Sequence, residues 1–417
     1  MSTPSRLNAY TIWFLGSLFY AYQYILRVLP NIASQEIVEK FTLDASTFGQ
    51  FSGFYYIGYA SMHIPMGILL DRIGPKIIMP LSMACAALGL LPLIYADTWI
   101  YPTLGRILIG MGSSGAILGI FKIIRLGFPE EKFTRMLSVA VTIGLLGAIY
   151  GGQPMNYMMG VFGWKHVIEI MALLGVILAI VTYFLTPTQA FEKIKISSII
   201  KDMKTIFYNP WVVAVTLLSG AMVGPLEGFA DVWGTEYLKI AYGYGDDWAS
   251  TVPSFLFLGM CFGSPFVSYI ADKTKAYFST VMTCAVVMLV SFMLILFAQV
   301  SYTNMVILLS ISGVSCAYQI IMIYKASTFV PDHVTGLTTA CANMVIMVFG
   351  YVFHSSIGNL MTAFWDGSTE NGIAIYSAGT YQQALLVIPA GLFLGFIGLM
   401  IVGRLEKRRM VATAPSS

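Results

Sequence analysis

Three ionisable residues lie inside apolar stretches of this chain, where a charge is costly. Arg27 ends the run FYAYQYILR, and Glu227 and Asp231 lie four residues apart in a second apolar run. An arginine near the centre of a bilayer costs roughly 2.5 to 3.5 kcal/mol on insertion scales, so it normally faces a partner or a cavity. Residues four apart share one face of a helix. The three groups are therefore candidates for ion pairing, for binding a charged substrate or for carrying a proton.

The sequence leaves three roles open for Arg27. It can bind a substrate carboxylate while Glu227 or Asp231 binds an ammonium group or a proton. It can form a salt bridge with Glu227 that closes an outer gate without touching substrate. It can also extend to the membrane surface along its own alkyl chain.

Other polar residues inside apolar runs are weaker candidates for substrate binding or proton transfer. Arg106 has no counterpart near residue 307 and either supports helix packing or takes part in proton coupling. Tyrosines and amides can line a cavity or pack between helices; they are Tyr20, Gln23, Tyr24, Tyr55, Tyr56, Gln153, Asn156, Gln319 and Asn343. His63 and His354 can relay protons or donate a hydrogen bond to a neighbouring helix, and we expect the second.

The composition indicates a membrane protein. Hydrophobic residues make up 57% of the 417 and charged residues only 10%, whereas soluble domains are about a quarter charged. Apolar runs of about 20 residues, long enough to cross a ~30 Å hydrocarbon core as helices, recur along the chain. Breaks at Pro, Gly and charged clusters predict twelve spans, at residues 8–30, 47–70, 76–96, 100–124, 136–160, 165–186, 209–235, 248–271, 277–299, 303–325, 335–362 and 381–403.

The distribution of basic residues predicts the orientation. All but five of the 23 Lys and Arg fall on one side of these spans, together with both termini. Two of the five are Arg27 and Arg106, and only Lys40, Lys165 and Lys239 fall on the opposite side. Because Lys and Arg accumulate in cytoplasmic loops, both termini should be cytoplasmic.

The spans divide into two halves. We expect an N-terminal six-helix bundle over residues 1–186, a basic cytoplasmic linker over 187–208, and a C-terminal six-helix bundle with a short basic tail over 209–417. A weak repeat at 201 residues supports the division, in the pairs Asn8 and Asn209, Asp71 and Asp272, and Gly112 and Gly313. Many secondary transporters place a midplane site between two such halves.

The loop after the second span carries the clearest motif, GILLDRIGPK, from Gly67 to Lys76. Gly67 permits close helix packing, Asp71 charges a helix end, and Arg72 and Lys76 offer partners to carboxylates. With Gly74, these residues resemble the Gly-x-Leu-x-Asp-Arg-x-Gly-x-Lys loop of the major facilitator superfamily. The resemblance implies a gating loop that holds the cytoplasmic side of the outward-open state.

Further stretches extend the resemblance over nearly the whole chain. SYIADKTK, residues 268–275, is a partial copy of the loop that keeps Asp272 but has Ser268 in place of the glycine. LGRILIGMG resembles the family's Arg-x-x-x-Gly signature with Arg106 and Gly110, and FGWK follows the fifth span. The resemblance implies an all-α membrane fold of twelve helices in two bundles.

Aromatic-rich runs carry a narrower resemblance. FYAYQYILRVLP, FGQFSGFYYIGYASMHIPMGILLDRIGPK and GPLEGFADVWGTEYL are similar to sequences of the phagosomal nutrient transporters of intracellular bacteria. Members of that group are associated with uptake of amino acids or nucleosides. The stretch GPLE at residues 224–227 departs from the group and leaves the substrate open.

The sequence therefore predicts a secondary active transporter rather than an enzyme. It has no nucleotide-binding motif and no large soluble domain, so an ion gradient, with H⁺ as the first candidate, should supply the energy. We expect a monomer in a bacterial inner membrane that imports a small polar nutrient, an amino acid first, with no metal, organic cofactor or nucleic acid partner. The alternatives are a nucleoside or organic-anion importer, a drug or siderophore exporter, and a non-transporting membrane sensor.

Overall fold

The first half of the chain forms ten helices. The structure is a computed structural model that describes residues 6–187, 196–370 and 372–413. The helices of the first half are α1 (Arg6–Ile32), α2 (Ser34–Phe41), α3 (Ala45–Arg72), α4 (Pro75–Leu88), α5 (Leu91–Tyr95), α6 (Ile100–Gly127), α7 (Phe133–Tyr150), α8 (Gln153–Phe162), α9 (Trp164–Leu185) and α10 (Ile196–Phe207). Helix α10 lies within the predicted linker, of which residues 188–195 are outside the described residues.

The second half repeats this organisation. It contains α11 (Pro210–Ala221), a π-helix (Gly224–Trp233), α12 (Gly234–Tyr242), α13 (Asp246–Thr251), α14 (Ser254–Thr274), α15 (Tyr277–Phe297), α16 (Tyr302–Cys316), α17 (Tyr318–Ser327), α18 (Thr335–Ala363), α19 (Ala378–Leu385) and α20 (Val387–Thr413). Strands β1 (Thr369–Glu370) and β2 (Ile373–Ala374) pair antiparallel between α18 and α19. Short 3₁₀ turns, Glu130–Lys132 and Asp332–Val334, precede α7 and α18.

Each predicted span corresponds to one helix or to a broken series of helices. Among the described residues, eleven segments are long and apolar enough to cross a membrane. The remaining predicted span is α3, which is 28 residues long but rich in Gly, Ser and Tyr. Helix α3 packs against both α6 and α18, so much of its polar surface contacts protein rather than lipid. The all-α membrane fold is confirmed, and α3 supplies the twelfth span by its length.

The seventh span is not the regular helix that the sequence predicts. After α11 it continues through the π-helix Gly224–Trp233, which includes Glu227 and Asp231, and then through α12. Pro225 is the second residue of this stretch and has no backbone N–H to donate to an α-helical ladder. Such π-helices are rare and occur frequently at functional sites.

Close glycine contacts reveal the true register of the internal repeat. Gly110 packs against the backbone of Tyr55, and Gly313 packs in the same way against Leu256. Tyr55 and Leu256 are 201 residues apart, so Gly110 is the equivalent of Gly313. The predicted match of Gly112 with Gly313 is wrong, because Gly112 packs against α4 instead. Equivalent residues of the two halves are thus 203 residues apart at Gly110 and Gly313, two more than at Tyr55 and Leu256.

Candidate functional site

A cavity of about 530 Å³ lies between the two bundles. Helices α1, α3, α6 and α7 form one side of it, and the π-helix, α14, α17 and α18 form the other. It extends from Arg27 and Glu227 to Asp71, Lys122 and Arg125. These last three residues lie at the predicted cytoplasmic ends of α3 and α6, so the cavity extends toward the side predicted to be cytoplasmic.

Most of the predicted site residues lie in the wall of this cavity. The lining includes Tyr20, Gln23, Tyr24, Arg27, Glu227, Gln319 and Asn343. Gln23 accepts a hydrogen bond of 2.6 Å from the hydroxyl of Tyr55. The side chain of Gln319 is buried, and its amide nitrogen has no hydrogen-bond partner among the described residues. Gln319 thus offers a free donor at the cavity wall.

An ionic cluster of Arg27, Glu227, Asp231 and Tyr56 lies at the closed end of the cavity. Arg27 Nε donates to Asp231 Oδ2 at 2.7 Å, and its Nη2 donates to Glu227 Oε2. The hydroxyl of Tyr56 lies within hydrogen-bonding distance of both carboxylates. All four side chains are buried, with Arg27 5% exposed. The guanidinium therefore spans the two bundles and does not extend to the membrane surface.

The charges of the ionic cluster do not balance when both acids are ionised. One guanidinium then faces two carboxylates, and Asp231 Oδ1 has no hydrogen-bond partner among the described residues. The rings of Tyr24 and Tyr56 lie 5.2 Å and 5.4 Å from the guanidinium carbon and stabilise the cation through their π-faces. An excess buried negative charge is costly, so the cluster favours the arrival of a proton or an ammonium group.

Arg106 lies behind this cluster and takes part in helix packing. Its guanidinium donates to the backbone carbonyls of Leu26 at 2.7 Å, Arg27 at 3.3 Å and Ser52 at 3.3 Å. It also lies 5.1 Å from the ring of Tyr55 and is 3% exposed. Arg106 has no carboxylate partner among the described ion pairs, and it joins α1 to α3 next to Arg27.

The two intramembrane histidines lie against tyrosine rings, His63 stacked and His354 tilted. His354 lies 5.6 Å from the ring of Tyr56, and His63 lies 5.1 Å from the ring of Tyr59. Neither ring nitrogen of His354 has a hydrogen-bond partner among the described residues. The predicted hydrogen bond from His354 to a neighbouring helix is therefore wrong, because the ring packs against an aromatic face. His63 lines the cavity, whereas His354 adjoins the ionic cluster.

Two predicted amides lie away from the cavity. Gln153 and Asn156 belong to α8, which begins after the helix break at Gly151 and Gly152. Helix α8 packs against α9 and α13, and neither amide contributes to the cavity wall. The prediction that Asn156 lines the site is wrong, because the break removes it from the face that α7 presents.

The comparisons with known proteins agree with this architecture. A family model described as the Major Facilitator Superfamily matches residues 12–354. The chain belongs to the Major Facilitator Superfamily. This membership confirms the family predicted from the loop motif.

Individual relatives are distant. The hexuronate transporter of Bacillus subtilis is 25% identical over 48% of this chain and 47% of its own length. The chain spans less than half the length of the curated relatives that it matches. The structure of a bacterial homologue of the human lysosomal transporter Spinster, inward-facing and occupied, has a TM-score of 0.77 at 16% identity and covers 97% of this chain and 98% of its own. The structure of the nucleoside transporter NupG has a TM-score of 0.72 at 15% identity and covers 94% of this chain and 98% of its own. These two structures establish the fold.

In the superfamily loop, Asp71 pairs with a lysine of its own bundle. Asp71, near the end of α3, accepts a hydrogen bond of 2.9 Å from Lys122 of α6. Gly74 has a φ of +88°, which explains why a glycine is needed where the chain turns into α4. The close packing predicted at Gly67 is absent, since a Cβ placed there would have no neighbour within 4 Å and the residue faces the cavity.

The second copy of this loop has different partners. Lys325 follows Lys122 by 203 residues, the offset found for Gly110 and Gly313, but it pairs with Glu406 of α20 at 2.6 Å. Asp272 accepts a hydrogen bond of 3.2 Å from Tyr277 instead. The equivalent lysines of the two halves therefore pair with different helices, Lys122 with α3 and Lys325 with α20.

Small polar residues join the two bundles on the opposite side of the protein. Ser46 Oγ lies 2.5 Å from Asn359 Oδ1, and the backbone N–H of Ser46 donates to Thr362 Oγ1 at 3.2 Å. Asn31 Nδ2 donates to the carbonyl of Ala230 at 3.0 Å. These contacts join the two bundles on the side opposite the mouth of the cavity, and we call them the outer gate. Sequence reasoning missed them, because small polar residues in apolar runs occur at many helix contacts.

Proposed function

We propose that this protein is a proton-coupled importer of a small zwitterionic nutrient, an amino acid first. The observation that carries the proposal is the ionic cluster at the closed end of the cavity, where Arg27 joins one bundle to Glu227 and Asp231 of the other. The chain works by alternating access in a bacterial inner membrane, as a monomer with both termini in the cytoplasm.

The cluster offers a partner to each end of a zwitterion. A substrate carboxylate replaces one of the acids on the guanidinium of Arg27, which can hold it with two parallel hydrogen bonds. The displaced Glu227 then accepts the substrate ammonium, while Asp231 takes the proton. The tyrosines of the wall and the amide of Gln319 surround the rest of a small polar molecule. The proton thereby neutralises the excess charge, and the zwitterion, whose net charge is zero, adds none.

The same contacts link binding to gating. In the inward-facing state the ion pairs of Arg27 hold the bundles together near the outer gate. A substrate that occupies Arg27 competes with these ion pairs and so changes the relative stability of the two conformations. When the cytoplasmic side closes, the loops of Asp71 and Asp272 are available to join the bundles there.

The proposal is tested with purified protein. A thermal-shift screen against amino acids, nucleosides, sugar acids and peptides identifies the ligand class, because a ligand that binds only the folded state raises the melting temperature. Uptake of the identified ligand into proteoliposomes should collapse with a protonophore. Glu227→Gln and Asp231→Asn should keep substrate exchange but lose accumulation against a gradient.

Other outcomes assign a different function. Stabilisation by nucleosides or sugar acids alone would replace the amino acid as substrate class. Uptake that follows sodium and ignores the protonophore would contradict proton coupling. Accumulation of cationic drugs in inverted vesicles, without amino acid uptake, would make the chain an exporter.

A further inference from the structure

A second cavity lies on the outer side of the ionic cluster. Its volume is about 670 Å³, and it is bounded by α2 and the start of α3 on one bundle and by the π-helix, α12, α19 and the β-hairpin on the other. We call it the outer vestibule. The outer gate and the ionic cluster close the route between the bundles, so the outer vestibule is distinct from the central cavity.

The charged side chains of the outer vestibule are acidic. Glu39, Glu236 and Glu370 line it, and its wall contains no Lys or Arg among the described residues. Glu236 pairs with Lys239 at 3.1 Å, whereas Glu39 and Glu370 have no ion pair in the part of the chain that the structure describes. The vestibule therefore has two uncompensated carboxylates.

Neighbouring groups support this negative potential. Glu36, on the same short helix as Glu39, has its pKa raised by burial and further by Glu39 and Glu236, while Lys239 and a backbone hydrogen bond oppose the shift. This is the behaviour of a carboxyl close to other carboxylates. The acidic residues thus lie near enough to one another to attract a cation jointly.

Aromatic rings form much of the remaining wall. Phe48, Trp233, Tyr376 and Tyr381 line the outer vestibule, and Phe48 packs edge to face against Trp233 at 5.6 Å. Trp233 is 3% exposed, and its indole N–H has no acceptor among the described residues. A buried donor without an acceptor is costly, so this wall offers a hydrogen bond to a ligand as well as an apolar surface.

We propose that the outer vestibule is a binding site for organic ammonium compounds that carry an apolar or aromatic body and a hydrogen-bond acceptor. Carboxylates attract the ammonium head, and the rings stabilise it through cation–π contacts and bury the body. The indole N–H of Trp233 binds the acceptor. This site goes beyond the proposed transport function, because its residues are separate from the ionic cluster and its occupancy does not require transport.

The first experiment tests the charge. Isothermal titration calorimetry of the full-length protein compares 2-phenylethylammonium, 2-phenylethanol and 3-phenylpropanoate, which share one ring and differ in the head group. We expect binding of the ammonium compound only, weakened at high ionic strength. Because Glu39 and Glu370 are exposed, each of Glu39→Gln and Glu370→Gln should weaken binding roughly 3-fold, and the double variant about 10-fold. Equal affinity for the alcohol would overturn the proposal.

Two matched controls locate the site. Glu131→Gln removes an exposed carboxylate from the predicted cytoplasmic side and should leave the affinity for 2-phenylethylammonium unchanged. Ser264→Ala alters the wall of the central cavity outside the ionic cluster and should also leave it unchanged. Affinity that is kept in the Glu39 and Glu370 double variant, or lost in Ser264→Ala, would place the amine outside the outer vestibule and overturn the proposal.

The second experiment tests Trp233. Adding a hydroxyl, in 2-amino-1-phenylethanol, should raise affinity roughly 3- to 10-fold over 2-phenylethylammonium in the parent. In Trp233→Phe, which keeps a ring but removes the N–H, this gain should disappear while 2-phenylethylammonium still binds. A hydroxyl gain that persists in Trp233→Phe would remove Trp233 from the proposed site.

Discussion

Arg27→Lys is the most informative single change in this protein. Arginine contacts two acids through different nitrogens, with Nε 2.7 Å from Asp231 and Nη2 on Glu227. Lysine keeps the charge but has one compact ammonium group instead of a planar fork. We therefore expect Arg27→Lys to keep one of the two contacts and to lose the other.

The structure sets the size of this effect. A hydrogen bond to a charged group contributes about 1.5–3 kcal/mol, and every ~1.4 kcal/mol changes an equilibrium tenfold. Losing one such bond should shift the equilibrium of the outer gate toward its open form by a factor of roughly 10 to 150. If Arg27 also holds the substrate carboxylate, substrate affinity should fall as well, because lysine cannot reproduce the bidentate contact.

Cross-linking across the outer gate measures the first effect. Ser46→Cys and Asn359→Cys join positions whose side-chain oxygens are 2.5 Å apart in the closed gate, in a background without the five native cysteines. Disulfide yield should fall when Arg27→Lys is added, and ligand affinity in detergent measures the second effect. The single-cysteine proteins are the controls.

Each result bears on a separate role. An unchanged disulfide yield would refute the gating role of Arg27, and unchanged ligand affinity in both Arg27→Lys and Arg27→Glu would refute its binding role. The exchange Arg27→Glu with Glu227→Arg should restore transport if the ion pair only gates. Failure of this exchange, with cross-linking restored, would favour direct contact with substrate.

Three further outcomes are expected. Asp71→Asn should leave folding almost unchanged, because its partly exposed bond to Lys122 is worth about 0–1 kcal/mol, yet reduce uptake sharply; normal uptake by an inserted variant would exclude a gating role. Arg106→Lys should lower the melting temperature, since losing a charged hydrogen bond costs about 1.5–3 kcal/mol, and equal melting would make its three carbonyl contacts dispensable. Burial raises the pKa of Glu36 above its ordinary 4.5, so the folded state holds this proton more tightly than the unfolded state. The free energy of unfolding should therefore fall as pH rises from 4.5 through the raised pKa. Across this range the melting temperature should decline less steeply with pH in Glu36→Gln than in the parent protein. Equal slopes would contradict the link between the protonation of Glu36 and stability.

The membrane spans and the candidate partners of Arg27 could be predicted from the sequence for physical reasons. A bilayer requires about 20 apolar residues per helix, which marks spans without knowledge of their packing. A buried charge requires a partner, and the repeat places Glu227 and Asp231 at the depth of Arg27. Cost and position make these acids candidates for Arg27, and the sequence leaves pairing open beside substrate binding and extension to the membrane surface.

The remaining parts of the site depend on helix rotation, which the sequence determines only weakly. Tyr56 is one of several tyrosines on α3, and only the structure places its hydroxyl between the two acids. Asn156 is an equally plausible amide, but the break before α8 removes it from the cavity. The contact of Ser46 with Asn359 joins residues from different bundles, and neither residue type indicates its partner.

The ionic cluster also has an electrical consequence. With both acids ionised, Arg27, Glu227 and Asp231 carry a net charge of about −1 within the membrane, and a bound proton cancels it. A charge that crosses the whole field gains or loses about 2.3 kcal/mol per 100 mV. A transporter that carries a zwitterion and a proton inward would thus reorient as a neutral species and return with a negative one. An inside-negative potential pushes the empty negative site outward, so voltage drives the return step, toward the side where the next proton is collected.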